Sequence, residues 1–228
     1  MEYFLDGLGS GILHVLRGEP EVIQAAWVTI QVSFWATLIS SVAGLPVGYY
    51  LASARFRGRN LCVMLLQTLL GLPTVVIGLL VYGLLSRRGP LGFLDILFTP
   101  AAIIVGLVIL AFPISATFSM AAVTSVDHRA RETAITLGAT PFQAAWKVVI
   151  EARFGIVASV LASFGRVASE VGIAMLLGGN IGSYTRTLTT TIALESTKGE
   201  FGFGIAIGVL LLAIVFGTNF TFRFLQKL

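Results

Sequence analysis

The sequence predicts an all-α integral membrane protein. It should have about five transmembrane helices, an N-terminal interfacial helix and a helical hairpin in the cytoplasm. Three observations carry this expectation. Of 228 residues, 56% are hydrophobic and 11% are charged, whereas soluble domains carry about 25% charge. Mean hydropathy is +0.92. The apolar residues also gather into runs of about 20, the length that crosses a bilayer. The length suits a single domain, residues 1–228.

The elements follow in chain order. Residues 4–16 carry Phe4, Leu5, Leu8, Ile12, Val15 and Leu16 at helical spacing, interrupted by Gly7, Gly9 and Gly11. Such a stripe lies in the membrane interface rather than across it. The opening MEYFLDG lacks the basic and apolar regions of a cleavable signal peptide. Five runs then qualify as spans: within 22–52, then 61–85, 101–123, 154–177 and 203–224. Pro73 and Pro113 fall inside the second and third. Each removes a backbone donor and is expected to bend its helix.

Basic residues set the orientation. Arg55, Arg57, Arg59, Arg129, Arg131, Lys147, Arg153, Arg223 and Lys227 fall on one side, against Arg17, Arg87, Arg88, Arg186 and Lys198 on the other. The positive-inside rule places the N-terminus outside and the C-terminus in the cytoplasm. The net charge of +4 reflects this orientation. No basic run marks a nucleic-acid partner.

Several features exclude other chemistry. The single cysteine, Cys62, sits in an apolar run, reads as a core residue and rules out an intramolecular disulfide. His14 and His128 lack ligand spacing. No phosphate-binding loop of the G-x-x-x-x-G-K-[ST] type is present. The sequon at Asn219 falls within a span. No cofactor is expected in this chain.

The stretch from 127 to 153 is the most specific. Residues 129–137 can form a short helix, with Gly138 at its C′ position. Thr140, Pro141 and Gln143 then fit an N-cap, N1 and N3, a capping box opening a second helix to about Val149. The tip presents Ala139, Thr140 and Phe142. An exposed aromatic on a rigid turn is an efficient anchor for a protein partner.

The order Glu132, Ala134, Gly138, Pro141, Lys147, Ile150 resembles the EAA loop of ABC-transporter importer permeases. Thr133, Val148 and Glu151 depart from that pattern. The residues Leu72–Gly78, Arg87–Gly92, Gly165-Arg166, Ser169–Gly172, Gly178–Ile181, Tyr184–Thr190 and Ile192–Glu195 are similar to molybdate- and tungstate-type permeases. The run from Tyr184 is most similar to the tungstate branch. The resemblance implies the type I ABC importer permease fold, with the loop as a coupling helix. It also implies an inner-membrane homodimer with a pore at its two-fold axis. Two cytoplasmic ATP-binding subunits and an external substrate-binding protein would complete the assembly. The cargo would be an oxyanion: tungstate first, molybdate or another anion second. ATP hydrolysis would lie on another chain. The coupling residues would be Glu132, Gly138, Ala139, Thr140, Pro141 and Phe142.

Two groups are candidates for the pathway. Arg166 and Glu170, four apart in the fourth span, share a helix face. Intramembrane charges face a bundle interior or an aqueous cavity, so the pair either locks helices together or lines the route. The hydroxyl-rich run after Gly178-Gly179 contributes Asn180, Ser183, Thr185 and Arg186. Amides and hydroxyls bind oxyanion oxygens weakly, as conduction requires. A polar external loop is the alternative. Two other classes have their own requirements. An ion-coupled secondary transporter needs repeat symmetry and coupling carboxylates. An intramembrane enzyme needs a nucleophile–base or metal constellation.

Overall fold

The computed structural model describes residues 19–225. The expected interfacial helix at 4–16 lies outside them. The described residues form helices and no strands: α1 (Pro20–Ser53), α2 (Arg59–Leu70), α3 (Thr74–Leu85), a 3-10 turn (Gly92–Leu94), α4 (Pro100–Thr124), α5 (His128–Thr136), α6 (Pro141–Glu151), α7 (Arg153–Ala168), α8 (Gly172–Gly178), α9 (Leu188–Lys198) and α10 (Phe201–Leu225).

Within the described chain, α1, α4 and α10 are long and apolar enough to cross a membrane; the spans number up to five if bent helix pairs count as one each. At about 1.5 Å per residue, the 34 residues of α1 reach about 51 Å, well beyond a hydrocarbon core of about 30 Å. Pro46 and Pro113 lie inside α1 and α4 without ending either helix.

The second expected span is not one helix. α2 stops at Leu70 and α3 starts at Thr74, with Gly71-Leu72-Pro73 between them. Pro73 is not inside a helix; it is the N-cap of α3, with extended backbone (φ −61°, ψ 127°). Proline drives the preceding residue out of the helical region, and Gly71, one position earlier, ends α2. The fourth expected span is also broken. α7 stops at Ala168 and α8 starts at Gly172. Cys62, expected in the core, is exposed on α2.

The chain groups into two compact units. One comprises the described residues up to Thr37, Pro73–Leu110, and those from Phe164 onward. Its core joins Ala25 of α1, Leu188 of α9 and Ile207 of α10, backed by Ile192, Phe203 and Leu210. Within it α3 packs along α8, whose Ile173 and Leu177 are fully buried.

The other unit comprises Leu38–Leu72 and Ala111–Ser163. Here Gly44 and Gly48, one turn apart on α1, lie against Ser115 and Ser119 of α4 so closely that a Cβ at either glycine would overlap the serine. Small residues four apart let membrane helices approach to backbone contact. Ser115 and Ser163 share a hydroxyl hydrogen bond of 2.9 Å. A second cluster, Val123, Val148 and Ala152 with Tyr49 and Ile156, seats α6.

Candidate functional site

The hairpin of α5 and α6 is built by local hydrogen bonds. Asp127 caps α5, its Oδ1 accepting from the Arg129 N–H at 2.9 Å. The C-terminal end closes as a Schellman motif: the Gly138 N–H donates to the Ile135 carbonyl and the Ala139 N–H to the Ala134 carbonyl. This needs a left-handed residue at 138, and Gly138 has φ +89°. The expected capping box then forms. Thr140 Oγ1 accepts from the Gln143 N–H at 3.3 Å, and Gln143 Oε1 from the Thr140 N–H at 2.8 Å. Pro141 occupies the first turn, and α6 runs two residues past the expected Val149 to Glu151.

Burial decides which way the hairpin faces. Ala144 and Val148 on α6 are buried. Leu137, Phe142 and Trp146 are exposed by 82%, 79% and 59%. Ala130, Thr133, Ala134, Gly138, Gln143 and Lys147 help line a groove of about 610 Å³ between the two helices. Glu132 stands on α5, exposed. Ala139 is half-buried, and Thr140 and Pro141 are exposed, at the turn. The hairpin therefore presents large apolar side chains outward from a rigid frame. Leu137 and Trp146 were not among the expected contacts. The i, i+4 spacing of Phe142, Trp146 and Ile150 is the signal that marks this face.

The Arg166–Glu170 pair forms, but not on one helix face. Arg166 lies in the last turn of α7, and Glu170 lies beyond its end. Arg166 Nη1 meets Glu170 Oε2 at 2.8 Å, with side-chain exposures of 41% and 4%. Glu170 Oε1 accepts from the Gly172 and Ile173 N–H groups at 3.0 and 3.3 Å, so the carboxylate caps α8. Its carbonyl accepts from Thr189 Oγ1 at 2.8 Å. Every polar atom of Glu170 is thus engaged, as a buried charge requires. Arg166 keeps donors that Glu170 does not use.

The run after α8 is similarly committed. Thr185 is fully buried. Its hydroxyl donates to the Gly178 carbonyl at 2.6 Å and accepts from the Ile181 N–H at 3.0 Å, clasping the loop. Thr187 and Thr190 form a reciprocal capping box on α9. Ser183 is exposed with φ +61°, and its carbonyl accepts from Gln24 Nε2. Asn180, at φ +50°, accepts at Oδ1 from Arg186 Nε at 3.3 Å. Arg186 Nη1 stands 3.9 Å from Glu21. The structure brings Asn180 to Arg186, and Glu170 to Arg166 and Thr189. It does not leave Thr185 available to a ligand. Among the described residues no group of His, Cys, Asp and Glu could hold a metal ion.

The family described as "binding-protein-dependent transport system inner membrane component" matches residues 44–228. The chain belongs to this family. A probable anion ABC transporter permease protein of Haloferax volcanii is 44% identical over 197 residues, covering 84% of this chain and 85% of its own. The tungstate uptake system permease protein TupB of Peptoclostridium acidaminophilum is 33% identical over 227 residues, the whole of both chains. A chain of the MetNI methionine ABC transporter, solved in inward-facing conformations, shares the fold with a TM-score of 0.76 and 21% identity, over 92% of this chain and 98% of that one.

The permease is therefore a transport subunit and not an enzyme. It is an ABC importer permease, a component that implies an ATP-binding subunit and a substrate-binding protein. The secondary-transporter and intramembrane-enzyme alternatives fall with that assignment. The fold is the expected type I importer permease fold.

Proposed function

We propose that the permease moves tungstate, as half of a homodimer with the pore at its two-fold axis. The full-length likeness to a tungstate uptake permease supports this cargo. So do the few donors left free near the α7–α8 break and in the loop at 178–187. Arg166 offers positive charge that Glu170 only partly cancels. Asn180 offers its Nδ2 end, since Arg186 holds its Oδ1. Such sparse donors suit an anion that must bind weakly enough to leave.

In the proposed orientation the N-terminus is outside, and α5 and α6 face the cytoplasm of a cell whose inner membrane holds the dimer. The exposed Leu137, Phe142 and Trp146 on the capped hairpin carry the coupling assignment. ATP binding closes the ATPase dimer, which grips this hairpin and rocks the helices from inward-facing to outward-facing. The loaded binding protein then delivers the anion to the cavity. This is a two-state equilibrium shifted by differential binding.

The test is reconstitution with the ATP-binding subunit and the binding protein in liposomes. ATP hydrolysis is measured with tungstate, molybdate and sulfate in turn. Stimulation at the lowest concentration by tungstate is the expected result. Stimulation only by another anion overturns the cargo. Arg166→Ala and Asn180→Gly, each with assembly checked, test the pathway. Normal uptake in both removes it from these residues.

A further inference from the structure

We propose that a basic pocket at the corner of α1, α2 and α4 binds the phosphate of an acidic lipid headgroup and braces the coupling hairpin. α1 ends at Ser53, and the chain turns into α2 through Gly58 (φ +92°). The pocket there has a volume of about 380 Å³. Arg55 and Arg59 line it from the α1–α2 corner, and Arg131 from α5. Its floor includes the buried Val123 and Val148. Three guanidiniums over an apolar floor concentrate positive potential, because low-dielectric walls focus the field.

Among the described residues, the three positive charges are offset only in part. Asp127 is the one carboxylate in the lining, and its Oδ1 is engaged as the cap of α5. Arg59 Nε is held by the Leu51 carbonyl at 2.7 Å, which orients its guanidinium and leaves the Nη groups for a ligand. Among the described residues, Arg55 and Arg131 have no carboxylate within ion-pair distance. Guanidinium forks match the paired oxygens of a phosphate.

Two observations favour a lipid over a free phosphate or oxyanion. The pocket is large enough that a bare tetrahedral anion would leave most of it open. The Tyr50 and Phe56 rings also stack 5.5 Å apart, Phe56 directly following Arg55 in the chain, and Leu61, Met64 and Leu65 of α2 are exposed. Aromatic side chains at an apolar–polar boundary, next to basic residues, mark the headgroup level of a membrane. A phosphate held by Arg55, Arg59 and Arg131 would tie the α1–α2 corner to the first helix of the hairpin. Only the choice of leaflet rests on the proposed function.

The experiment uses the purified permease with its ATP-binding subunit in nanodiscs of phosphatidylcholine with or without phosphatidylglycerol. Phosphatidylglycerol retained through detergent washing is counted by native mass spectrometry. Wild type is expected to retain it, and Arg55→Glu/Arg131→Glu to retain at least fivefold less. Arg57→Glu, outside the pocket, should retain as wild type does. Should the double variant fail to assemble, Arg55→Gln and Arg131→Gln are scored separately, each expected to lower retention. Equal retention in all variants overturns the site, since bulk charge then explains it. Displacement of the lipid by millimolar phosphate or tungstate, with that anion bound instead, overturns the lipid as occupant. A complex that holds no lipid yet hydrolyses ATP in response to its anion sinks this site and leaves the transport reading intact.

Discussion

The hairpin at 127–153 and the region from the α7–α8 break to α9 both concentrate polar residues, but they use them in opposite ways. In the hairpin, Thr140, Gln143 and Gly138 close the backbone locally and push Leu137, Phe142 and Trp146 outward. In the second region, Glu170, Thr185, Thr187, Thr189 and Thr190 turn inward and satisfy backbone groups. A polar-rich sequence therefore does not mark a ligand surface. What matters is which donors remain after the chain has satisfied itself. In the hairpin the product is an exposed apolar face. In the second region a few cationic and amide donors remain.

The sharpest break in that contrast would come at Glu170. Glu170→Ala uncaps α8, leaving the Gly172 and Ile173 N–H groups without their acceptor, and takes the partner from a part-exposed Arg166. Each buried donor left unsatisfied costs about 1–3 kcal/mol, so the yield of folded protein and its unfolding temperature should fall sharply. Near-normal folding with altered anion stimulation would move Glu170 from scaffold to pathway. Phe142→Ala should come next. A central interface aromatic contributes at least about 2 kcal/mol, roughly thirtyfold in affinity. Titration of the ATP-binding subunit should show this loss at unchanged thermal stability. A weakening below threefold would remove Phe142 as the anchor.

Thr140→Ala tests whether the frame matters apart from the face. Loss of an N-cap costs about 1 kcal/mol. Hydrogen exchange at Gln143 should quicken about fivefold, with weaker ATPase binding. Unchanged exchange would mean that Pro141 alone holds the turn. The smallest structural effect is expected for Asn180→Gly. Glycine accepts the positive φ freely, so stability should stay within about 0.5 kcal/mol. Anion-stimulated ATP hydrolysis should nevertheless fall severalfold if the amide touches cargo. Unchanged stimulation would assign Asn180 to the loop alone.

The hairpin was legible almost residue by residue because its signals are local: a glycine that must be left-handed, a threonine, proline and glutamine in fixed order. The breaks were harder to see. Pro73 and Pro113 look alike in an apolar run, yet only Pro73 stands at a break between helices. Gly71 already terminates α2 there, whereas Ala111 and Phe112 before Pro113 continue α4. The Arg166–Glu170 spacing correctly paired the two residues. It did not foresee that the chain leaves the helix between them, because tertiary partners such as Thr189 hold Glu170 in place. Hydroxyl counting failed at Thr185 for the same reason. Composition does not say whether a hydroxyl faces a cavity or its own backbone. Cys62 was misplaced because an apolar run in a membrane protein has an outer face as apolar as its core.

That exposure makes Cys62 useful. It is the only cysteine in the chain, and it sits on α2 just after the 54–58 turn. A thiol-reactive fluorophore or spin label would place one probe per protomer with no mutagenesis. In the proposed two-fold assembly, a single distance between symmetry-related probes would report the passage between inward- and outward-facing states during turnover.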